Sequence, residues 1–327
     1  MTSATPQISV IIPAYNAEKW LVRAVASCLA QTQPPLEVIL VDDASTDKTL
    51  AVASALAAAH PEVRVLSQAA NSGPAAARNR GVAKSHGELV AFLDADDEWH
   101  PTKLQKQVAA LRMEPTAGLV FTALQVKSTD GHNLRELRHR LPNSQVERVA
   151  ASFVLALNMI TPTLLLPRQV FEQVGGLDER LRVCEDHDLF MKIAFEHEVI
   201  YLNEPLVNRY VVPRSHSNSV DPLVMEAHYQ KFLEHSLQRF PFLAPYVASF
   251  KAKVDYQVGR RYQQLSNTSM ARKYFARSLA AKYSLRAVLA LAIASLPAQV
   301  QHLFRENPWR RGKGLIDKHL ASSHAKN

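Results

Sequence analysis

The sequence predicts an α/β protein with a mostly parallel sheet flanked by helices and a helical C-terminal region. Three observations carry this. Apolar runs rich in Val, Ile and Leu alternate with segments of helical period from residue 8 to residue 128. The apolar runs are continuous rather than alternating, as strands covered on both faces must be. Beyond residue 221 the strand signals stop and helical spacing continues almost to the end. This places a first domain at 1–220 and a basic helical region at 221–327.

The elements follow in order. "ISVIIPAYN" (8–16) reads as a strand ending in a polar turn. "AEKWLVRAVASCLAQT" (17–32) sets Trp20, Leu21, Ala24, Val25 and Cys28 at helical spacing. "LEVILVDDAS" (36–45) is a second strand and "TDKTLAVASALAAAHP" (46–61) a second helix, closed by Pro61. "VRVLSQ" is a third strand, and "PAAARNRGVAKS" a helix with Pro74 at its first position. "ELVAFLDADD" (88–97) is a fourth strand, "PTKLQKQVAALRM" a helix and "AGLVFTALQVKS" a further strand. Residues 125–160 carry no regular pattern. "TPTLLLPRQVFEQVGGLDERL" then gives a short strand, a helix and a Gly-Gly turn, and "CEDHDLFMKIAFEHE" a helix with an acidic start. "VIYLNEPLVNRYVVP" reads as two strands around a turn.

Composition narrows the class. Hydrophobic content of 47% with 21% charged residues supports a packed core. Two cysteines in 327 residues make no disulfide framework and suit a reducing compartment. The start "MTSATPQISVII" lacks a basic stretch followed by an apolar one, so no secretory signal is expected. No run of 18 apolar residues occurs, so no spanning helix is expected. Charge is uneven: residues 251–327 hold 15 Lys and Arg against 3 Asp and Glu, a net +12, and the first 250 hold 23 against 27, a net −4. Such a basic end points to an anionic partner, a membrane surface before nucleic acid because no nucleic-acid motif is visible. A solvated helical face or a helical dimerisation module is the alternative.

In a parallel sheet, ligands sit outside the carboxyl ends of the strands. "PAYN", "DDAS", "NSGP" and "DADD" therefore fall along one edge. Asp94, Asp96 and Asp97 crowd like charges there. Carboxylates so placed can share a divalent cation that also ligates phosphate. By itself the pattern serves equally as a helix cap, with Asp96 or Asp97 capping a helix near Trp99 or Pro101. Asp43 can accept from a ribose hydroxyl or base N–H. Tyr15 can stack on a base beside the Pro13 and Ala14 backbone. "PAYN" lacks the glycines of a dinucleotide fold, which argues against NAD or FAD. Arg78 suits phosphate, or pairs with Asp43 or Asp94. Glu185, Asp186 and Asp188 form a second acidic cluster that caps a helix or supplies a base. His216 is a candidate metal ligand or phosphate contact.

Taken together, "ISVIIPAYN", "VILVDDASTD", "NSGPAAARNRG", "VAFLDADDEW", "VGGLDE" and "CEDHDLFMKIA" resemble, in order and spacing, the family 2 glycosyltransferases of the GT-A fold. The resemblance covers residues 7–210. It implies inverting transfer of a sugar from a nucleotide diphosphate donor, UDP favoured, to a glycan or lipid-linked acceptor in polysaccharide or glycoconjugate synthesis. It places the nucleotide sugar against Pro13, Ala14, Tyr15, Asn16, Asp43, Arg78, Asp94 and Ala95. It assigns Mg2+ or Mn2+ to Asp96 with Asp94, and loosely to His216. Asp186 is the implied base, with Glu185 its rival. The Q-x-x-R-W segment of processive polymerases is absent, which implies addition of one sugar. A non-catalytic sugar-nucleotide-binding protein and a nucleotidyltransferase remain the alternatives. The expected location is cytoplasmic, peripheral on the inner membrane face, and a homodimer is left open.

Overall fold

The structure, a computed structural model, describes residues 6–157, 159–212 and 220–296. The chain divides into two compact units: residues 1–220 with 227–244, and residues 221–226 with 245–327.

The first unit is built on one mixed sheet. Its strands are β1 Ile8–Ala14, β2 Glu37–Asp42, β3 Val63–Ser67, β4 Leu89–Phe92, β5 Glu98–Trp99, β6 Ala117–Lys127, β7 Asn133–Leu137, β8 Leu165–Pro167 and β9 Glu198–Tyr210. The order is β3-β2-β1-β4-β8-β6-β9-β5, with β7 paired to β6. The first four strands are parallel, as are β6 and β9, while β8 runs antiparallel to its neighbours. Every residue of β2 and β4 is buried. That burial is why these strands read as unbroken apolar runs.

Helices α1 Leu21–Leu29, α2 Thr49–Ala59, α3 Pro74–Ala83, α4 Lys103–Met113, α5 Gln145–Phe153, α6 Arg168–Gln173 and α7 Glu185–Glu196 cover this sheet. α1 buries Leu21, Ala24, Val25 and Cys28, the stripe expected from its spacing. Each fully buried Leu or Val there contributes roughly 2 kcal/mol. α3 lies close on β1. A Cβ on Gly81 would meet Ile11 Cγ2 at 2.3 Å, so only glycine admits that approach.

Two expectations are corrected. β9 is one 13-residue strand and not two, because the irregularity near Asn203–Pro205 is absorbed as a shift in register against β6. The stretch after Asp97 is not a helix start. Glu98–Trp99 pairs antiparallel with Val207 and Asn208, and the next helix begins at Lys103.

Among the described residues four further helices follow: α8 Pro222–Arg239, α9 Val247–Gln264, α10 Thr268–Ala281 and α11 Leu285–Ala294. In the second unit Ala271, Tyr274, Phe275 and Ser278 are the buried stripe of α10. No described helix is long and apolar enough to cross a membrane.

Candidate active site

The strand order reverses direction at β1. β2 and β3 lie to one side of it and β4 to the other. Loops that leave adjacent strands in opposite directions open a crevice between them. The turn after β1 and the turn after β4 line this crevice. Asn16, Ala44 and Cys184 adopt left-handed backbone at φ 51°, 57° and 65°. Such conformations cost non-glycine residues energy, and they cluster where geometry serves a site. Here they follow β1, follow β2 and open α7.

The acidic turn comes first. Asp94, Asp96 and Asp97 each offer an oxygen within 4.8 Å of the others. Asp96 is partly buried, and its pKa is pushed up to about 6, chiefly by burial and further by the charge of Asp94. Asp97 is buried and held well above the usual carboxylate range, by burial and then by Asp96 and Asp94. Crowded, incompletely compensated carboxylates are what a hard divalent cation neutralises, and oxygen is the donor Mg2+ or Mn2+ prefers. The donor set therefore fits such an ion. Asp97 does not cap a helix. Its Oδ1 accepts from the Tyr210 N–H at 3.0 Å, 113 residues away. Ala95 is buried between these carboxylates in the chain.

The second acidic group stands at the start of α7. Arg78, on α3 and 4% exposed, joins the two groups. Its Nη2 donates to Asp94 Oδ1 at 2.6 Å and its Nη1 to Glu185 Oε1 at 3.3 Å. Arg78 thus pairs with Asp94, one of the two pairings open from sequence, and not with Asp43. Glu185 is held in an ion pair. Asp186 forms none among the described residues, and its Oδ1 accepts from the His187 N–H at 2.8 Å. Burial pushes the Asp186 pKa up to about 6, against the pull of that N–H and of Arg78.

The Gly-Gly turn explains how α3 and α7 are held. Asn79, next to Arg78, donates to Leu177 O at 2.9 Å and accepts from Leu177 N at 3.0 Å. Lys192, further along α7, donates to Gly176 O at 2.7 Å. Gly176 has φ 63°, and a Cβ there would meet Asn79 Oδ1 at 2.9 Å. The turn after α6 therefore clasps both helices that carry the charged groups.

The remaining expected residues lie on the β1–β2 side. Asp43 is buried, and accepts from Ser72 N and Gly73 N at 2.8 Å each and from Gln68 Nε2 at 2.6 Å. It shapes the "NSGP" loop ahead of α3. Asn16 accepts from Thr46 N at 2.8 Å and donates its own N–H to Ser45 Oγ at 3.1 Å, tying the two strand-end loops together. Ala14 is buried and Pro13 partly so, while Tyr15 is half exposed. His216 lies outside the described residues. Sequence reasoning missed Tyr210 and Arg23, which brace the acidic turn. Nothing local in the sequence marks Tyr210. Arg23 sits four residues before Ser27 on a polar edge beside the apolar stripe of α1, and eight before Gln31, just past the helix end.

The family model for glycosyl transferase family 2 matches residues 9–175, just over half of the chain. The chain belongs to glycosyl transferase family 2. It is 38% identical over 139 residues to TuaG of Bacillus subtilis (strain 168), a glycosyltransferase named for teichuronic acid biosynthesis, covering 42% of this chain and 55% of that one. It is 33% identical over 192 residues to the succinoglycan biosynthesis protein ExoO of Rhizobium meliloti (strain 1021), covering 56% of this chain and 54% of that one. The family 2 chain thus spans about half the length of these relatives. Among solved structures, the mannosyltransferase of Pyrobaculum calidifontis in complex with GDP-Man and Mn2+ matches with TM-score 0.59 at 21% identity, covering 98% of this chain and 87% of that one. TarS 1-349 of S. aureus in complex with UDP-GlcNAc matches with TM-score 0.55 at 19% identity, covering 92% of each. These likenesses establish the shared fold, and the GT-A expectation holds.

Proposed function

We propose that this family 2 member is a metal-dependent, inverting glycosyltransferase. It moves one sugar from a nucleotide diphosphate sugar, UDP-linked by preference, to a hydroxyl of a glycan or lipid-linked acceptor. The observation that carries the reading is the bridge made by Arg78. It holds the acidic turn Asp94–Asp97 and the start of α7, with Asp186, at one strand-end crevice. The names of TuaG and ExoO support a place in polysaccharide synthesis. The UDP-GlcNAc held by TarS and the GDP-Man and Mn2+ held by the Pyrobaculum mannosyltransferase support the donor class and the ion.

The residues divide the work as follows. Tyr15, with the backbone of Pro13 and Ala14, receives the base, and Asp43 fixes the loop beside it. Asp96 and Asp94 would hold Mg2+ or Mn2+, which when bound offsets charge on the departing diphosphate. Asp186 takes the acceptor hydroxyl proton while that oxygen attacks the anomeric carbon from the face opposite the diphosphate. The bond from that carbon to the diphosphate breaks as the new one forms, so the configuration inverts. Arg78 is 4% exposed and engaged by two carboxylates, so it acts through them and not on the phosphate. The test is nucleotide release from a panel of UDP-, GDP- and dTDP-sugars, with Mn2+ and with EDTA. We expect Mn2+-dependent release from one of them. Release at equal rate in EDTA overturns the metal dependence.

The basic C-terminal region fits an anionic membrane surface. α11 buries Ala287, Ala290 and Ala294 and leaves Leu285 and Leu289 exposed, at 59% and 40%, with Lys282 and Arg286 exposed nearby. Large apolar side chains facing out among basic ones suit an interfacial helix. Sedimentation with phosphatidylglycerol vesicles tests this. A Leu285→Asp, Leu289→Asp double variant that binds as well as the parent protein overturns it.

A further inference from the structure

α1 presents a second stripe beside its apolar one. Arg23 and Ser27 stand four residues apart, so their side chains line one face of the helix, and Gln31 follows two residues past its end. Each grips the backbone of the segment that carries the acidic turn. Arg23 Nη2 donates to Asp96 O at 2.6 Å. Ser27 Oγ accepts from Trp99 N at 3.1 Å. Gln31 Nε2 donates to His100 O at 2.9 Å, and its Oε1 accepts from Leu104 N at 3.0 Å. Ser27 and Gln31 are buried, at 8% and 5% exposure. α1 and the turn that ends it thus fix the chain from Asp96 to Leu104.

Arg23 has a second partner. Its guanidinium carbon lies 3.6 Å from the centre of the Tyr210 ring. Tyr210 in turn holds the acidic segment from the other side. Its N–H donates to Asp97 Oδ1 at 3.0 Å, and its hydroxyl to Glu98 Oε2 at 2.9 Å. Arg23 therefore bridges α1, the turn and the end of β9. Its charge also pulls against the upward shift of Asp96.

We propose that Arg23 is a positioning residue for the metal-binding turn, fixing Asp96 through its carbonyl and through Tyr210. This rests on the reading of Asp94 and Asp96 given under Proposed function. Groups that orient metal ligands typically change metal affinity by 10- to 100-fold when removed. Arg23→Met keeps the stem against Tyr210 and deletes the donor and the charge. Arg23→Lys keeps the charge and one donor.

The test titrates Mn2+ into the full chain in the presence of UDP, and in parallel GDP, and follows free Mn2+ by electron paramagnetic resonance. Amide hydrogen exchange of residues 94–100 is measured on the metal-free protein. We expect Arg23→Met to weaken Mn2+ binding on the order of tenfold, with Arg23→Lys intermediate, and to speed exchange of Asp97 and Trp99. Tyr210→Leu removes the ring while leaving the N–H on Asp97. It is the second probe if Arg23→Met does not fold, and should shift Mn2+ affinity the same way. Unchanged Mn2+ affinity in the folded variants overturns the proposal. A parent protein that fails to bind Mn2+ in the presence of UDP and also of GDP overturns the metal reading instead. In that case unchanged exchange in Arg23→Met independently overturns the positioning role.

Discussion

Arg78 Nη2 stands 2.6 Å from Asp94 Oδ1, and the same guanidinium reaches Glu185 3.3 Å away on its other side. Neither carboxylate is close to the arginine in sequence, and α3, β4 and α7 must all be in place to bring them together. Removing the cation leaves two carboxylates facing each other in a part-buried site. Breaking a buried pair by losing one partner costs on the order of 3 kcal/mol. We expect Arg78→Met to lower the melting temperature and to cut sugar transfer at least tenfold. Thermal unfolding and transfer rate, measured on one preparation, check both. A variant as stable and active as the parent would show the bridge to be idle.

The same bridge separates the two rivals for the base. Glu185 is held by Arg78, whereas Asp186 accepts the His187 N–H with one oxygen and forms no ion pair among the described residues, which is what favours it as the proposed base. General base catalysis contributes about 10²- to 10⁴-fold. Asp186→Asn should lose transfer by that factor while donor binding, read by calorimetry, stays within about twofold of the parent. Glu185→Gln should weaken stability more than it weakens transfer. The opposite ranking would move the base to Glu185.

Two pH effects follow from the raised carboxylates, with opposite consequences. As the proposed base, Asp186 must be ionised to act, and burial pushes its pKa up to about 6. Transfer therefore falls as pH drops below about 6, and kcat/KM against pH should show that limb. Stability runs the other way. A folded pKa above the unfolded value of 3.8 means that protonation favours the folded state. The contribution from Asp96 and Asp186 is complete below that unfolded value and is lost as pH rises through about 6. Groups shifted downward, such as Asp178 and Glu37, lose their contribution only at more acid pH. Between pH 7.5 and 5 the metal-free protein should therefore gain melting temperature. Added Mn2+ should supply the same gain at pH 7.5 by neutralising the turn. A melting temperature that falls steadily over this window would contradict the assignment.

Much of this site was legible because its residues lie in short contiguous motifs. A strand signal followed by Asp-Ala-Asp-Asp, or a helix opening with Glu-Asp, states both position and chemistry within ten residues. Arg78 was legible as a group needing an anion, but the choice between Asp43 and Asp94 depends on sheet order and not on local pattern. For Asp97 the sequence offered a helix cap or a support behind the metal ligands, and the cap does not form. The partner of Asp97 is a backbone N–H on β9, and a backbone donor leaves no mark in the sequence. The set of Arg23, Ser27 and Gln31 was present in the spacing. It was hidden because the apolar stripe of α1 accounts for the period by itself. The single course of β9 was obscured by Asn203 and Pro205, which look like a turn when their register against β6 is unknown.

The contrast between Asp96 and Asp97 gives the sharpest test of how the acidic turn divides its labour. Both are acidic, adjacent and raised above the ordinary carboxylate range. Asp97 is buried and faces Tyr210 N with one oxygen, whereas Asp96 is only partly buried. Asparagine keeps the Oδ1 acceptor for Tyr210 N and removes the charge that burial and the neighbouring Asp96 and Asp94 disfavour. Asp97→Asn should therefore keep the Tyr210 contact, hold or raise the melting temperature, and retain Mn2+ binding within a few-fold. Asp96→Ala removes an oxygen from the open side of the turn and relieves repulsion on Asp94. It should raise the stability of the metal-free protein while abolishing Mn2+-dependent donor binding. Melting temperatures with and without Mn2+ and UDP separate the two variants. Loss of the Mn2+ response in Asp97→Asn would make Asp97 a ligand in its own right.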